Sequence, residues 1–379
     1  MNLDPHVDMS FDSIETPSAI VDLDRLERNL QRVAAYASSH GLQLRPHVKT
    51  HKSVFVAKAQ LENGACGLTC ATPFEVEVMS PHCTDLLLAY PPASASVARR
   101  IAAIDPSVRV TVALDSAYAL ETVAEAAHAA DRTIGVHVEI DVGMHRVGTV
   151  SAAAALALAQ SIGKHRHLAF AGLAFYPGHV RSAGSEQDAP LDALAQVLTE
   201  TLDVFDRAGM TPPVVSGGST PTLWRSHELP RVTEIRPGSY AYNDRTTAAI
   251  GACAWEDCAL TVLATIVSTA VPGQAVIDAG SKALGREPMR GTAQDGFGQL
   301  LEHPEVVVTR MSEEHGILDL TESSWRPEIG ERVRVVPNHV CVVVHLNDLV
   351  YGVRGTRVER SWAVDARGRG QRAIPAFAS

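Results

Sequence analysis

The sequence predicts an α/β fold: a parallel (β/α)8 TIM barrel with its helices outside, followed by a second, all-β C-terminal domain. Three observations carry that expectation. Apolar β-type runs alternate with helical patterns about eight times over roughly 230 residues, the size of such a barrel. No G-x-G-x-x-G follows the first strand, which disfavours the rival doubly wound open sheet. After residue 245 the helical patterns give way to strands divided by Gly, Pro and Asn turns. The expected division is a barrel over 14–245 and a β domain over 246–379, with the N-terminal segment 1–13 a candidate addition to the latter.

The elements follow in order. "SAIVDL" is read as the first barrel strand. "DRLERNLQRVAAYASSHG" comes next, with Leu26, Leu30, Val33 and Ala37 on one helical face. Asp24 and Glu27 have capping-box spacing at its start, and Gly41 closes it. "LQLRPHV" is the second strand. Helices are then expected near 53–63, 73–80, 94–104, 116–130, 151–163 and 187–208. They alternate with the strands "CGLTCA", "DLLLAYP", "RVTVAL", "IGVHVEID", "LAFAGLAFYPG" and "PVVSGGS", and "TEIRPGSY" ends the series. In the last helix Leu191, Leu194, Leu198, Leu202 and Phe205 form one stripe, which Gly209 terminates. Beyond residue 245, "CALTVLATIVSTA", "QAVIDAG", "EVVVTRMSEEHGILDL", "ERVRVVPNHVCVVVHL", "DLVYGVRG" and "RVERSWAVDARG" all read as β-type runs.

Bulk properties narrow the function classes. Hydrophobic residues make up 46 % and charged residues 20 %, a globular rather than a disordered composition. The net charge of -10 disfavours nucleic acid and anionic membranes, since both need a basic face. No apolar run is long enough to span a bilayer, and "MNLDPHVDMSFDSIETPS" has no signal-peptide character, so a cytoplasmic location is expected. The six cysteines form no C-x-x-C pair, and reduced, mostly buried thiols are expected.

Candidate chemistry gathers at predicted strand ends, where barrels carry their active residues. "RPHVKTHK" (45–52) puts a basic cluster where a buried strand should hand over to a helix. A lysine inside a barrel mouth is partly desolvated, which lowers its pKa and lets the neutral amine condense with an aldehyde. "SGGSTPT" (216–222) offers open backbone N–H groups and the hydroxyls of Ser219 and Thr220, a plausible phosphate cradle. In "EIDVGMHRVG", Arg146 either holds an anionic oxygen or pairs with Asp141 or Glu139. In "EIRPGSYAYND", Gly238 allows close backbone approach, while Tyr240 either reaches a phosphate or a substrate carboxylate, or simply packs. In "PNHVCVVVH", His339 and Cys341 stand two apart on an expected strand and so share a face; together they suit a divalent metal, softer ions such as zinc above all. His345 shares that face but lies too far along to be read as a ligand.

Together with "TPSAIVDLDRLERN", "VIDAGSKA" and "EEHG", these motifs resemble the fold-type III pyridoxal-phosphate enzymes over nearly the whole chain. The closest group is the low-specificity D-threonine aldolases, with D-serine and D-3-hydroxyaspartate dehydratases as near relatives. The resemblance implies an alanine-racemase-like barrel, pyridoxal 5'-phosphate and a divalent metal ion (manganese, magnesium or zinc). It also implies a small D-3-hydroxy amino acid substrate and a homodimer. Lys49 matches the Schiff-base lysine, Lys52 a flanking charge, and Arg146 the arginine at the cofactor's phenolic oxygen. Gly218, Ser219 and Thr220 match the phosphate loop, with Gly238 and Tyr240 beside it, and His339 and Cys341 match the metal pair. Some D-threonine aldolases carry aspartate in the place of Cys341; the H-x-C form also resembles the zinc-dependent dehydratases. In "FYPGHVR", His179 is a candidate base for the β-hydroxyl proton, or a loop histidine. Tyr176 is read as touching cofactor or substrate, or as packing. His315 in "SEEHG" either orients a ligand or caps a turn.

Overall fold

The computed structural model of the chain describes residues 9–290, 292 and 295–370. Eight parallel strands pair in chain order: Gln43–Leu44, Leu68–Cys70, Asp85–Leu88, Arg109–Leu114, Ile134–Glu139, Leu168–Ala174, Val215–Gly217 and Glu234–Ile235. The last returns to the first, with Glu234 opposite Gln43. A parallel bridge between His47 and Thr69 joins the first to the second and closes the ring.

Local chemistry explains the alternation. Ser53, Thr72, Ser94, Ser116 and Ser151 each accept a hydrogen bond from a backbone N–H in the first turn of the helix that follows, satisfying a donor left over there. Leu86, Leu87 and Leu88, like Val136 and Val138, are fully buried, as strands covered on both sides require. The barrel interior also holds charge. Arg45 Nε donates to Glu234 Oε2 at 2.7 Å and Arg45 Nη1 to Asp85 Oδ1 at 2.9 Å. Ser216 Oγ donates to the other Glu234 oxygen at 2.5 Å and receives a bond from Arg236 Nη1 at 2.6 Å. Burial alone would raise the Glu234 carboxyl, but Arg45 and Ser216 bring it below its ordinary value.

The second sheet has ten strands and is almost entirely antiparallel. Its centre is Leu260–Ser268, which pairs with Arg332–Pro337 on one side and Ser18–Asp22 on the other. The run expected to open the barrel therefore lies in this sheet, also pairing in parallel with Leu349–Arg354. Its apolar pattern specifies a buried strand without specifying a partner, and Ala19–Val21 finds cover against Leu260–Val262 instead. Met9–Ser10 joins the same sheet through Arg357–Ala363.

A second expectation also changes. "PNHVCVVVHL" is not a continuous strand: the strand ends at Pro337 and a helix spans Val340–Leu346, with Val340, Val343 and Val344 buried. A valine run satisfies period 2 and the i, i+3, i+4 pattern alike, so burial on one side of a turn decides. His339 is the extended residue just ahead of this helix and Cys341 lies in its first turn, packed toward the barrel mouth. No helix among the described residues is long and apolar enough to cross a membrane.

Candidate active site

The basic run at the end of the first barrel strand separates by direction. Arg45 points into the barrel, as described above. His51 is buried, one ring nitrogen at Ser53 and the other 3.2 Å from Gln60 Oε1. Lys52, at φ 50°, turns back to the buried Glu75 carboxylate. Of its basic residues, His47 and Lys49 face the cavity at the strands' C-terminal ends. His47 accepts weakly from the Lys49 backbone N–H, at 3.4 Å. Burial, reinforced by Lys49 and Arg236, pushes the His47 imidazole well below its ordinary pKa, so it is neutral.

The cavity, about 310 Å³, lies between the barrel mouth and the helix at 340–346, and a second chamber of about 300 Å³ adjoins it. Lys49, Arg146 and Tyr176 line both chambers. Lys49 Nζ stands 5.4 Å from the centre of the Tyr176 ring and the Arg146 guanidinium 4.9 Å from it, so the ring carries two cations. Arg146 does not pair with Asp141. That carboxylate is taken up by the Gly143 and His145 N–H groups and the His145 ring.

Ser219 and Thr220 line the same cavity, and Gly218 the adjoining chamber. Gly218 has φ +92°, which the turn requires and a side chain would resist. Ser219 Oγ is engaged with Thr222 Oγ1 at 3.1 Å. Thr220 Oγ1, by contrast, is buried with no hydrogen-bond partner. An orphaned buried hydroxyl costs about 1–3 kcal/mol, and an oxyanion at this loop would satisfy it. Gly238 also lines the cavity: a Cβ there would stand 2.8 Å from Thr50 Oγ1 and 3.2 Å from His47 Cβ.

His339 and Cys341 form the opposite wall. Asp244, which caps the helix Arg245–Ala249, approaches His339 Nδ1 at 3.1 Å through Oδ2. The same oxygen accepts from Val340 N at 3.2 Å, and Oδ1 accepts from Thr247 N at 2.8 Å. Cys341 Sγ lies 3.5 Å from Thr50 Oγ1, one residue from Lys49. The thiolate beside it pushes His339 up to about 11 despite burial, with Asp244 adding to the effect. Burial penalises the Cys341 thiolate, but His339 and Lys49 more than offset this and lower its pKa. A cation suits this pair: sulfur and imidazole are soft donors, and Asp244 fixes the ring from behind. Among the described residues no third His, Cys, Asp or Glu completes a ligand cluster, so other positions on an ion would go to water or substrate.

Two expected residues stand elsewhere. Tyr240 does not line the main cavity. Its hydroxyl accepts from Gln60 Nε2 at 3.2 Å and its ring, carried on the short 3-10 turn Ser239–Ala241, packs in the core joining the barrel to the second sheet. His179 is exposed, although Gly178 and Val180 on either side line the cavity. Its ring lies against Gly143, whose added Cβ would come within 3.2 Å of Nε2. Neither His315 nor His345 lines the cavity: His315 closes the turn before Gly316–Asp319, its carbonyl accepting from the Ser312 N–H, and His345 is exposed on the short helix.

Three residues were given no role of their own at the site from sequence, Glu139 having been weighed as a partner of Arg146 alone. Arg236 is buried one residue beyond the last barrel strand and donates to Phe175 O at 2.9 Å as well as to Ser216. Glu139 ends its strand, is buried, and lines the second chamber, with Arg236 and Arg146 opposing the rise that burial causes in its pKa. Asp244 is the third. Arg236 and Glu139 occupy strand ends, a signal that the barrel pattern already contained.

A lysine, two arginines and a soft donor pair thus converge at the mouth of a closed parallel barrel, which is the arrangement of a cofactor-dependent enzyme. The alanine racemase N-terminal domain model matches residues 21–246, and the putative serine dehydratase domain model matches 259–353. The chain is 36 % identical over 354 residues to a D-threo-3-hydroxyaspartate dehydratase of Delftia sp. (strain HT23), covering 87 % of this chain and 91 % of that one. The crystal structure of D-threonine aldolase from Filomicrobium marinum superposes with a TM-score of 0.89 at 32 % identity, covering 96 % of this chain and 98 % of the other. A cysteine variant of D-threo-3-hydroxyaspartate dehydratase, solved in a metal-free form, superposes at 0.84 with 31 % identity, covering 96 % and 100 %. The chain belongs to the fold-type III pyridoxal-phosphate lyases, the family of these aldolases and dehydratases.

Proposed function

We propose that the chain is a pyridoxal-phosphate- and divalent-metal-dependent lyase for D-3-hydroxy amino acids, cleaving D-threonine to glycine and acetaldehyde. One observation carries the reading: a single cavity holds the Lys49 amine, the orphaned Thr220 hydroxyl and the His339–Cys341 pair. When bound, the cofactor's conjugated ring takes up the electron pair of the bond broken at Cα. Lys49 Nζ supplies the amine for covalent attachment. Arg146 would hold the cofactor's ring oxygen, and Gly218, Ser219 and Thr220 its phosphate, with Thr220 Oγ1 free to donate. Gly238 leaves room for the cofactor to lie close to the backbone.

His339 and Cys341 would hold the divalent ion, manganese, magnesium or zinc, which would supply Lewis acidity at the substrate hydroxyl. The Cys341 thiolate favours zinc. Asp244 keeps His339 Nδ1 occupied and directs the other ring nitrogen to the ion. His179 takes the β-hydroxyl proton in this reading; its ring must turn from Gly143 toward the cavity to do so. The reading includes a homodimer in the cytoplasm, the dimer checked by light scattering.

A second reading is β-elimination to a keto acid and ammonia, with Lys49 Nζ taking the Cα proton. Cys341 favours it, since the H-x-C form of the pair also resembles the zinc-dependent dehydratases. The test of the shared reading is Lys49→Ala. That variant should lose the visible absorbance of the covalently held cofactor, and a surviving band would move the attachment to another lysine.

A further inference from the structure

The two residues of the soft donor pair are fixed from different sides. Asp244 holds the His339 ring from behind. Cys341 lies in the first turn of the helix Val340–Leu346, whose buried face is formed by Val340, Val343 and Val344. The helix sets its Cα, but a cysteine side chain still rotates about χ1, so the backbone alone does not aim the sulfur.

What meets the sulfur belongs to the barrel. Thr50 ends the single 3-10 turn Val48–Thr50, between the first barrel strand and the helix Val54–Glu62. The His51 and Lys52 N–H groups both donate to Val48 O, at 3.1 and 2.7 Å, and Val48, Thr50 and His51 are fully buried. Thr50 is therefore a rigid platform. Its Oγ1 stands 3.5 Å from Cys341 Sγ, a hydrogen-bonding distance for the larger sulfur atom, and has no other hydrogen-bond partner among the described residues. Gly238 closes on the hydroxyl from another direction: a Cβ there would come within 2.8 Å of Oγ1.

The hydroxyl suits both states of the sulfur. A thiol donates to Oγ1; a thiolate has no proton to give, so the hydroxyl turns and donates to it. A metal ion takes cysteine as the thiolate. We infer, on the metal assignment proposed above, that Thr50 is a positioning residue for the ion: its hydroxyl donates to the Cys341 thiolate and fixes the sulfur relative to Lys49, its neighbour in the chain. One buried turn thus carries the cofactor amine and aims a metal ligand from the second domain. A substrate held at Lys49 and at the ion must fit the separation that this turn sets.

Cobalt and zinc test this. Cobalt(II) is titrated into the cofactor-free chain, and the sulfur-to-metal charge-transfer band is assigned to Cys341 by its loss in Cys341→Ser. A hydrogen bond lowers the energy of the sulfur electrons, so Thr50→Val should move the band to longer wavelength, and Thr50→Ser should return it. In the holoenzyme, zinc should bind about tenfold more weakly to Thr50→Val, the lower end of what loss of a group supporting a metal ligand costs, with Thr50→Ser close to the parent. A merely structural threonine would change affinity without moving the band. Should Thr50→Val not fold, Thr50→Ala against Thr50→Ser makes the same comparison. An unmoved band in the hydroxyl-free variant overturns the inference, as does Thr50→Ser behaving like it. A parent that binds cobalt with no band from Cys341 overturns the metal assignment itself, and this inference with it.

Discussion

Replacing Asp244 by Asn should weaken metal binding without unfolding the protein. Asp244 is almost wholly buried, and each of its carboxylate oxygens has defined partners. Oδ2 meets His339 Nδ1 at 3.1 Å and Val340 N at 3.2 Å, while Oδ1 meets Thr247 N at 2.8 Å. Asparagine keeps the shape but has one acceptor and one donor. Whichever way the amide turns, its NH₂ meets a donor: either Thr247 N, or the His339 Nδ1–H and Val340 N together. Keeping the helix cap satisfied therefore sacrifices the orientation of His339. Loss of a hydrogen bond involving a charged group costs about 1.5–3 kcal/mol. Loss of the group that orients a metal ligand costs about 10–100-fold in affinity, or about 1.4–2.8 kcal/mol, and the two scales agree. The assay is calorimetric titration of zinc into metal-stripped Asp244→Asn and parent protein. Thermal unfolding of the metal-free proteins serves as the control for the helix cap, whose loss costs about 1 kcal/mol. A zinc affinity within twofold of the parent would refute the argument that Asp244 prepares His339 for the ion.

Further expectations follow from the same geometry. Thr220→Val removes a buried hydroxyl that has no partner, so the cofactor-free protein should melt at the same temperature or higher while pyridoxal phosphate binds at least about tenfold more weakly; a destabilised apoprotein with unchanged cofactor affinity would contradict this. Glu234→Gln should cost about 3 kcal/mol at neutral pH by leaving Arg45 with half its buried partnership. Because the folded carboxyl lies below its ordinary value of 4.5, its contribution is present above that pH and lost as pH falls through the folded value. The gap between parent and variant, measured by urea unfolding, should therefore close in acid, and a gap that widens there would be inconsistent with the pairing. His179→Ala should lose cleavage while still changing the cofactor spectrum on binding D-threonine; normal turnover would return His179 to an ordinary loop residue.

Much of the fold was legible in the sequence because both of its periodicities are local. Ser and Thr caps ahead of apolar stripes mark the barrel helices, and the strands between them are short and rich in apolar residues. Strand partnership is not local. Nothing within "SAIVDL" distinguishes a barrel neighbour from Leu260–Val262, more than two hundred residues away, and the reading went to the wrong sheet. The site shows the same limit. Lys49, Arg146, Thr220, His339 and Cys341 were grouped from motifs, and all line one cavity. The element carrying His339 and Cys341 was misread, because a valine run fits a strand and a short helix equally. Asp244 was passed over because its partner is His339, 95 positions away in sequence. Tyr240 carried two readings, cofactor contact or packing; its hydroxyl accepts from Gln60 and its ring lies in the core. Arg236, in the last barrel run, was given no role from sequence; the structure buries it against Ser216 and Phe175.

The most direct test of the central claim is product analysis with purified protein, added pyridoxal phosphate and zinc or manganese. D-Threonine and D-serine are offered separately, with their L-forms as controls. Glycine and acetaldehyde from D-threonine, none from L-threonine, and loss of both products on chelation are the predicted results. Ammonia with 2-oxobutyrate or pyruvate would contradict the aldolase and make Lys49 the principal base of a dehydratase. No product from either D-amino acid, in protein that has taken up cofactor and metal, would contradict the lyase itself.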